Sequence, residues 1–134
     1  ALMEHGLEQK PEWIFNDRGY GDGLIGVNYR FSFPKDNMPE AFVCNNDVTA
    51  YSLIEQLQEE GFRVPEDISV VGYDDYLYPE LGDSRITTYS VDMAEMSRAA
   101  LTCLVRRMEN MGMTTKVNVV NGRLIERDTV RKRN

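Results

Sequence analysis

The chain has 134 residues, a formal net charge of -7 and a pI near 4.7. That length suits one domain with a buried core. The acidic balance excludes the chain itself as a grip on nucleic acid, because phosphate contacts need lysine and arginine. The basic stretch Arg131-Lys132-Arg133 is too short to reverse it and reads as a solvated terminus. No apolar run of about 18 residues spans a membrane, and no basic-then-apolar leader opens the sequence.

Residues 1–7 read as the last turns of a helix closed by Gly6, so the chain reads as a fragment beginning at a helix end. His5 is the sole histidine, which leaves little for His-based catalysis or metal binding. Pro11–Phe15 is predicted as a short strand. Residues 16–26 carry Gly19, Gly21, Gly23 and Gly26 with Asp17 and Asp22, the mark of a loop where backbone approaches something closely. Gly21 to Gly26 fits the pattern G-x-G-x-x-G. Phe31, Phe33 and Pro34 downstream make a poor helix, so a dinucleotide site is not assigned.

Pro34–Pro39 is a connector. Ala41–Cys44 is four apolar residues in a row, predicted as a parallel strand buried on both faces. Asp47 is predicted to cap a helix running to about Glu60, with Gly61 ending it. Val48, Tyr51, Leu53, Ile54 and Leu57 give that helix one apolar face. Ile68–Val71 is the next parallel strand. Tyr76–Asp83 is a loop with exposed-looking Tyr76 and Tyr78, and Ile86–Tyr89 is a short strand. Asp92 opens a helix to about Met111, in which Met93, Met96, Ala100, Leu104, Met108 and Met111 read as core filler. Asn121-Gly122, between Val117–Val120 and Arg123–Ile125, is a local hairpin signal. Cys44 and Cys103 lack metal-ligand spacing and read as free thiols of a reducing compartment.

The strand–helix–strand unit over 41–75 places Asn45-Asn46-Asp47 and Asp74-Asp75 just past two strand ends. Open α/β sheets bind ligands in the crevice at that edge. Taken singly, these residues are helix caps and turn formers. Together they describe a pocket for a small, hydroxyl-rich molecule: a carboxylate accepts from vicinal hydroxyls and an asparagine both donates and accepts. The enzymatic alternative would use paired carboxylates as acid and base. No activated nucleophile, phosphate loop or metal spacing accompanies them, and adjacent carboxylates in an extended segment point to opposite sides. No catalytic residue, cofactor or metal is assigned.

Val43–Asp47, Gly61–Asp75, Ile86-Thr87-Thr88, Asp92–Ala100 and Arg123–Thr129 together resemble the LacI/GalR family of bacterial transcription regulators. The resemblance covers nearly the whole chain and is strongest over 41–75. It implies an α/β, doubly wound parallel sheet of the periplasmic-binding-protein-like type I fold, present here as an incomplete fragment. It also implies a cytoplasmic homodimer that senses a small, carbohydrate-like effector. Operator DNA would be bound only through a helix-turn-helix headpiece outside this sequence. Residues 1–88 would be part of the C-terminal subdomain, 89–121 a segment of the N-terminal subdomain, and 122–134 the return. Asn46 and Asp74 match residues that bind effector hydroxyls, and Tyr20 lies near an aromatic that covers the sugar ring. Tyr51, Glu55, Tyr76, Tyr78 and Leu81 match dimer contacts. Thr88, Tyr89, Asn121 and Gly122 match hinge crossovers, which competes with the hairpin signal. The family's first C-terminal-subdomain strands are not in this sequence, nor is an arginine many members place on the effector. The resulting open sheet edge is predicted to pair with another chain. The alternative reading is a substrate-binding protein of a sugar uptake system.

Overall fold

The computed structural model describes residues 3–15, 30–34, 36–76, 85–109 and 117–132. Four strands make one sheet in chain order: β1 (Ala41–Val43), β2 (Ser69–Asp74), β3 (Thr87–Val91) and β4 (Gly122–Ile125). The first three are parallel, with Val43 opposite Val71 and Val71 opposite Thr87. The fourth runs antiparallel to β3, with Val91 opposite Gly122 and Tyr89 opposite Leu124. Helix α1 (Asp47–Glu59) connects β1 to β2, and helix α2 (Met93–Glu109) lies between β3 and β4.

The two-residue period of a strand sends alternate side chains to opposite faces. Phe42, Val70 and Ile86 join Ala50, Leu53 and Leu57 of α1 in one buried core. Phe15, Phe31, Phe33 and Phe42 extend that core with edge-on, tilted and stacked ring contacts at 5.5–6.4 Å. On the other sheet face, among the described residues, Val43 is 84% exposed and Ala41, Tyr73 and Leu124 are exposed too, while Thr87 in the row of Val43 is buried. Double burial of Ala41–Cys44 is therefore corrected. The apolar run marks a strand, but burying both its faces needs a second layer, and α1 supplies only one.

Five further expectations change. Helix α1 is capped by Asn46, whose Oδ1 accepts from Thr49 N at 2.7 Å, and not by Asp47. Gly61 does close the helix, in a left-handed conformation at φ 90°. Pro11–Trp13 is a 3-10 turn instead of a strand: proline suits the first helical position, and Trp13 Nε1 donates to Asn37 O at 2.8 Å. Met3–His5 is likewise a single 3-10 turn, with Gly6 at φ 69° behind it. No residue of α2 is buried, and Met93, Met96, Leu104 and Met108 of the supposed core stripe are exposed. Helical spacing reveals an apolar face; it does not reveal what lies against it. Finally, 117–120 is not a strand and Gly122–Ile125 pairs with β3, so no hairpin turns at Asn121-Gly122.

Two polar fastenings close the end of the sheet remote from the Asp74 turn. The Thr129 hydroxyl donates to Val70 O at 2.6 Å and accepts from Thr87 N at 2.9 Å, tying β2 to β3 where their pairing begins. In the turn before β2, the Arg63 guanidinium and backbone N–H both donate to the Asp67 carboxylate at 2.7–2.9 Å. The Arg63 guanidinium, then its backbone N–H, hold the Asp67 carboxyl down at about 2, against an ordinary 3.8. A lowered carboxyl pKa adds stability above the unfolded value, and that stability is lost as pH falls through the folded one. Asp67→Asn should therefore flatten the acid limb of stability between pH 3.8 and about 2. Urea midpoints measured across that window check this, and identical limbs for both proteins would refute it.

Candidate functional site

Strands β1 and β2 end side by side. From the opposed pair Val43 and Val71, three further residues along each chain lead to Asn46 and Asp74. Asn46 is half-buried, and its cap uses only the side-chain oxygen, which leaves the amide nitrogen as a donor at the sheet edge. Asp74 is exposed and has φ 97°; Asp75 follows at φ 57°. Non-glycine residues in the left-handed region cost on the order of 1 kcal/mol each, and they persist where the surroundings over-determine them.

Those surroundings are specific. Tyr76 N donates to Asp47 Oδ2 at 2.8 Å, and Asp75 N donates weakly to Thr88 Oγ1 at 3.4 Å. Arg127 Nη2 donates to Asp75 Oδ1 at 2.6 Å, while Arg127 Nη1 is anchored on Ile86 O at 2.8 Å. Asp75 is thus committed to the scaffold, and it makes no catalytic pair with Asp74. Asp47 is 2% exposed, and its carboxylate lies directly over Gly72, where an added Cβ would collide with Oδ1. Burial pushes the Asp47 carboxyl up; the Thr88 hydroxyl and Tyr76 N–H pull it back, and the charges of Asp75 and Asp74 push it up further. The result is one turn, clamped from three elements, that presents the Asp74 carboxylate beyond the sheet.

Of the sequence-predicted residues, the structure brings Asn46 and Asp74 to adjacent strand ends. Tyr20, Tyr78 and Leu81 lie outside the described residues. Tyr51 donates to Glu55 Oε1 at 2.6 Å along α1, and that bond, more than burial, raises the phenol's pKa. Tyr76 is 59% exposed. Thr88 is fully buried beneath the Asp75 turn. Tyr89 and Gly122 meet across the β3–β4 ladder, and exposed Asn121 precedes β4. Sequence reasoning missed the clamp formed by Asp47, Gly72, Thr88 and Arg127. Gly72 inside a strand was a legible hint of close backbone approach. Arg127 had no local signal, since its partner Asp75 lies far away in sequence. Among the described residues, no group of three or more His, Cys, Asp or Glu could hold a metal ion, and no helix is long and apolar enough to cross a membrane.

The model of the periplasmic binding protein-like domain matches residues 1–130. The chain belongs to this family. It has the form of the domain found in LacI-type regulators. The HTH-type transcriptional repressor PurR of Vibrio vulnificus is 31% identical over 134 residues, covering 100% of this chain and 40% of the repressor. A LacI-type transcription regulator from Bifidobacterium animalis subsp. lactis matches with a TM-score of 0.76 at 26% identity, over 98% of this chain and 47% of that one. A LacI family transcriptional regulator from Lactobacillus casei, solved with bound sucrose, matches with a TM-score of 0.56 at 27% identity, over 69% of this chain and 34% of its own. This periplasmic binding protein-like chain thus spans about 40% of the length of such curated relatives, which are named as a repressor and an operon regulator.

Proposed function

We propose that the chain is the effector-sensing part of a LacI-type transcription regulator, with Asn46 and Asp74 holding hydroxyls of a sugar-like effector. The observation that carries this reading is the clamped turn. Three separate segments fasten Asp75 and Tyr76, the residues that follow Asp74, while Asp74 itself sits at φ 97° with its side chain exposed. Sucrose bound to a solved relative supports the ligand class. In this reading 1–88 and 122–134 belong to one subdomain and 89–121 to the other. Strands β3 and β4 then carry the crossovers between them. The outer side of α1 at Tyr51 and Glu55, with Tyr76, forms the face of a homodimer in the cytoplasm. Operator DNA is bound through a headpiece outside these residues.

The test uses the intact regulator and DNA from its own promoter, read by fluorescence anisotropy against mono- and disaccharides including sucrose. At least one sugar should shift operator affinity tenfold or more, a coupling of about 1.4 kcal/mol. Asp74→Asn tolerates the left-handed backbone while removing the charge. It should weaken that sugar about tenfold or more, as the loss of a charge-assisted hydrogen bond does, and leave sugar-free operator binding unchanged. A panel in which no sugar moves operator affinity would overturn the reading.

A further inference from the structure

We propose that Tyr89 is a positioning residue that clasps the two crossover strands together and, through Tyr73, ties them to the turn bearing Asp74. The inference rests on the effector-site reading for its functional meaning, but its geometry is independent of it.

Tyr89 sits opposite Leu124, and Gly122 sits opposite Val91, so the Tyr89 ring must lean diagonally to meet Gly122. It does so: Gly122 N donates to the Tyr89 hydroxyl at 3.1 Å. The ring occupies the space a side chain at 122 would need. A Cβ there would collide with Tyr89 Cε1 and with Ser90 O. Glycine at 122 thus answers both to the Tyr89 ring and to the Ser90 carbonyl, and its bare Cα lets the ring lie against β4. On its far side the Tyr89 ring stacks on Tyr73 of β2, with centroids 5.5 Å apart and planes 18° from parallel. Tyr73 pairs with Tyr89 in the β2–β3 ladder and directly precedes Asp74.

The clasp therefore lies where the chain leaves β3 for α2 and where it returns into β4. A twist of one crossover against the other must either break the Gly122–Tyr89 hydrogen bond or drag the Tyr89 ring. Dragging the ring disturbs the stack on Tyr73, one residue from the strained Asp74. Both tyrosines are partly exposed, Tyr73 at 43% and Tyr89 at 36%. The core formed with α1 does not hold them, so their mutual stack and the Gly122 contact do most to fix their position.

Hydrogen exchange on the intact protein tests this, followed by mass spectrometry of peptides covering 120–126, 87–91 and, as a control, 50–58. Tyr89→Phe keeps the stack and removes the acceptor. It should speed exchange over 120–126 about fivefold, the loss of one ordinary hydrogen bond, with the control peptide unchanged. Tyr73→Leu touches nothing on β4, yet it too should speed exchange over 120–126 without moving the control. Wild-type exchange over 120–126 in either variant overturns the clasp. So does acceleration that includes 50–58, which would mark general destabilisation. Sugar-dependent operator binding is measured separately: its absence would remove the effector reading while leaving the exchange result standing, and the converse holds equally.

Discussion

Gly72→Ala is expected to destabilise the domain by about 2–4 kcal/mol, combining overpacking with the loss of a buried hydrogen bond. An alanine Cβ at 72 would collide with Asp47 Oδ1 and come within 3.3 Å of Asp47 Cα. The side chain cannot simply swing away. It is 2% exposed, and its second oxygen holds Tyr76 N. Either the carboxylate moves and frees the Tyr76 amide, or β2 shifts away from the start of α1. Both routes loosen the turn that holds Asp74 at positive φ, so weaker sugar binding should accompany the lower urea midpoint. Wild-type stability in Gly72→Ala would show that α1 and β2 are not packed this closely.

Thr129→Val keeps the shape of the side chain and should still cost about 2–5 kcal/mol. The hydroxyl serves Val70 O and Thr87 N together, and both are buried with it. Two buried backbone groups left without a partner cost about 1–3 kcal/mol each. Thr129→Ser, which retains the hydroxyl, should recover most of the loss. A valine variant as stable as wild type, with the serine variant destabilised, would assign the effect to the methyl group instead.

Legibility of the fold in the sequence followed the range of the signals. Strand–helix–strand order over 41–75, the glycine stop at Gly61 and the parallel pairing depend on local periodicity and turn chemistry, and all were readable. So was the gathering of Asn46 and Asp74 at one sheet edge, because parallel strands place their ends together. The cap was misassigned by one residue, since Asn46 and Asp47 are both good caps. Only packing against Gly72 shows that Asp47 turns inward. The Met93–Met108 stripe was read correctly as one face of a helix and wrongly as buried, because burial depends on a partner that periodicity does not name. The Asn121-Gly122 signal failed for a related reason. Glycine there answers to Tyr89 and the Ser90 carbonyl, both distant in sequence, and not to a turn. Arg127 on Asp75 is equally non-local.

The pairing of Val91 with Gly122 has a topological consequence. The chain departs for α2 and comes back at one and the same rung of the ladder, so everything from 92 to 121 is an excursion whose two ends are already neighbours. None of α2 is buried, and the core of Phe42, Leu53, Leu57, Val70 and Ile86 closes without it. Any movement of that excursion against the sheet must therefore pass through this one rung, which neighbours the pairing of Ser90 with Asp74.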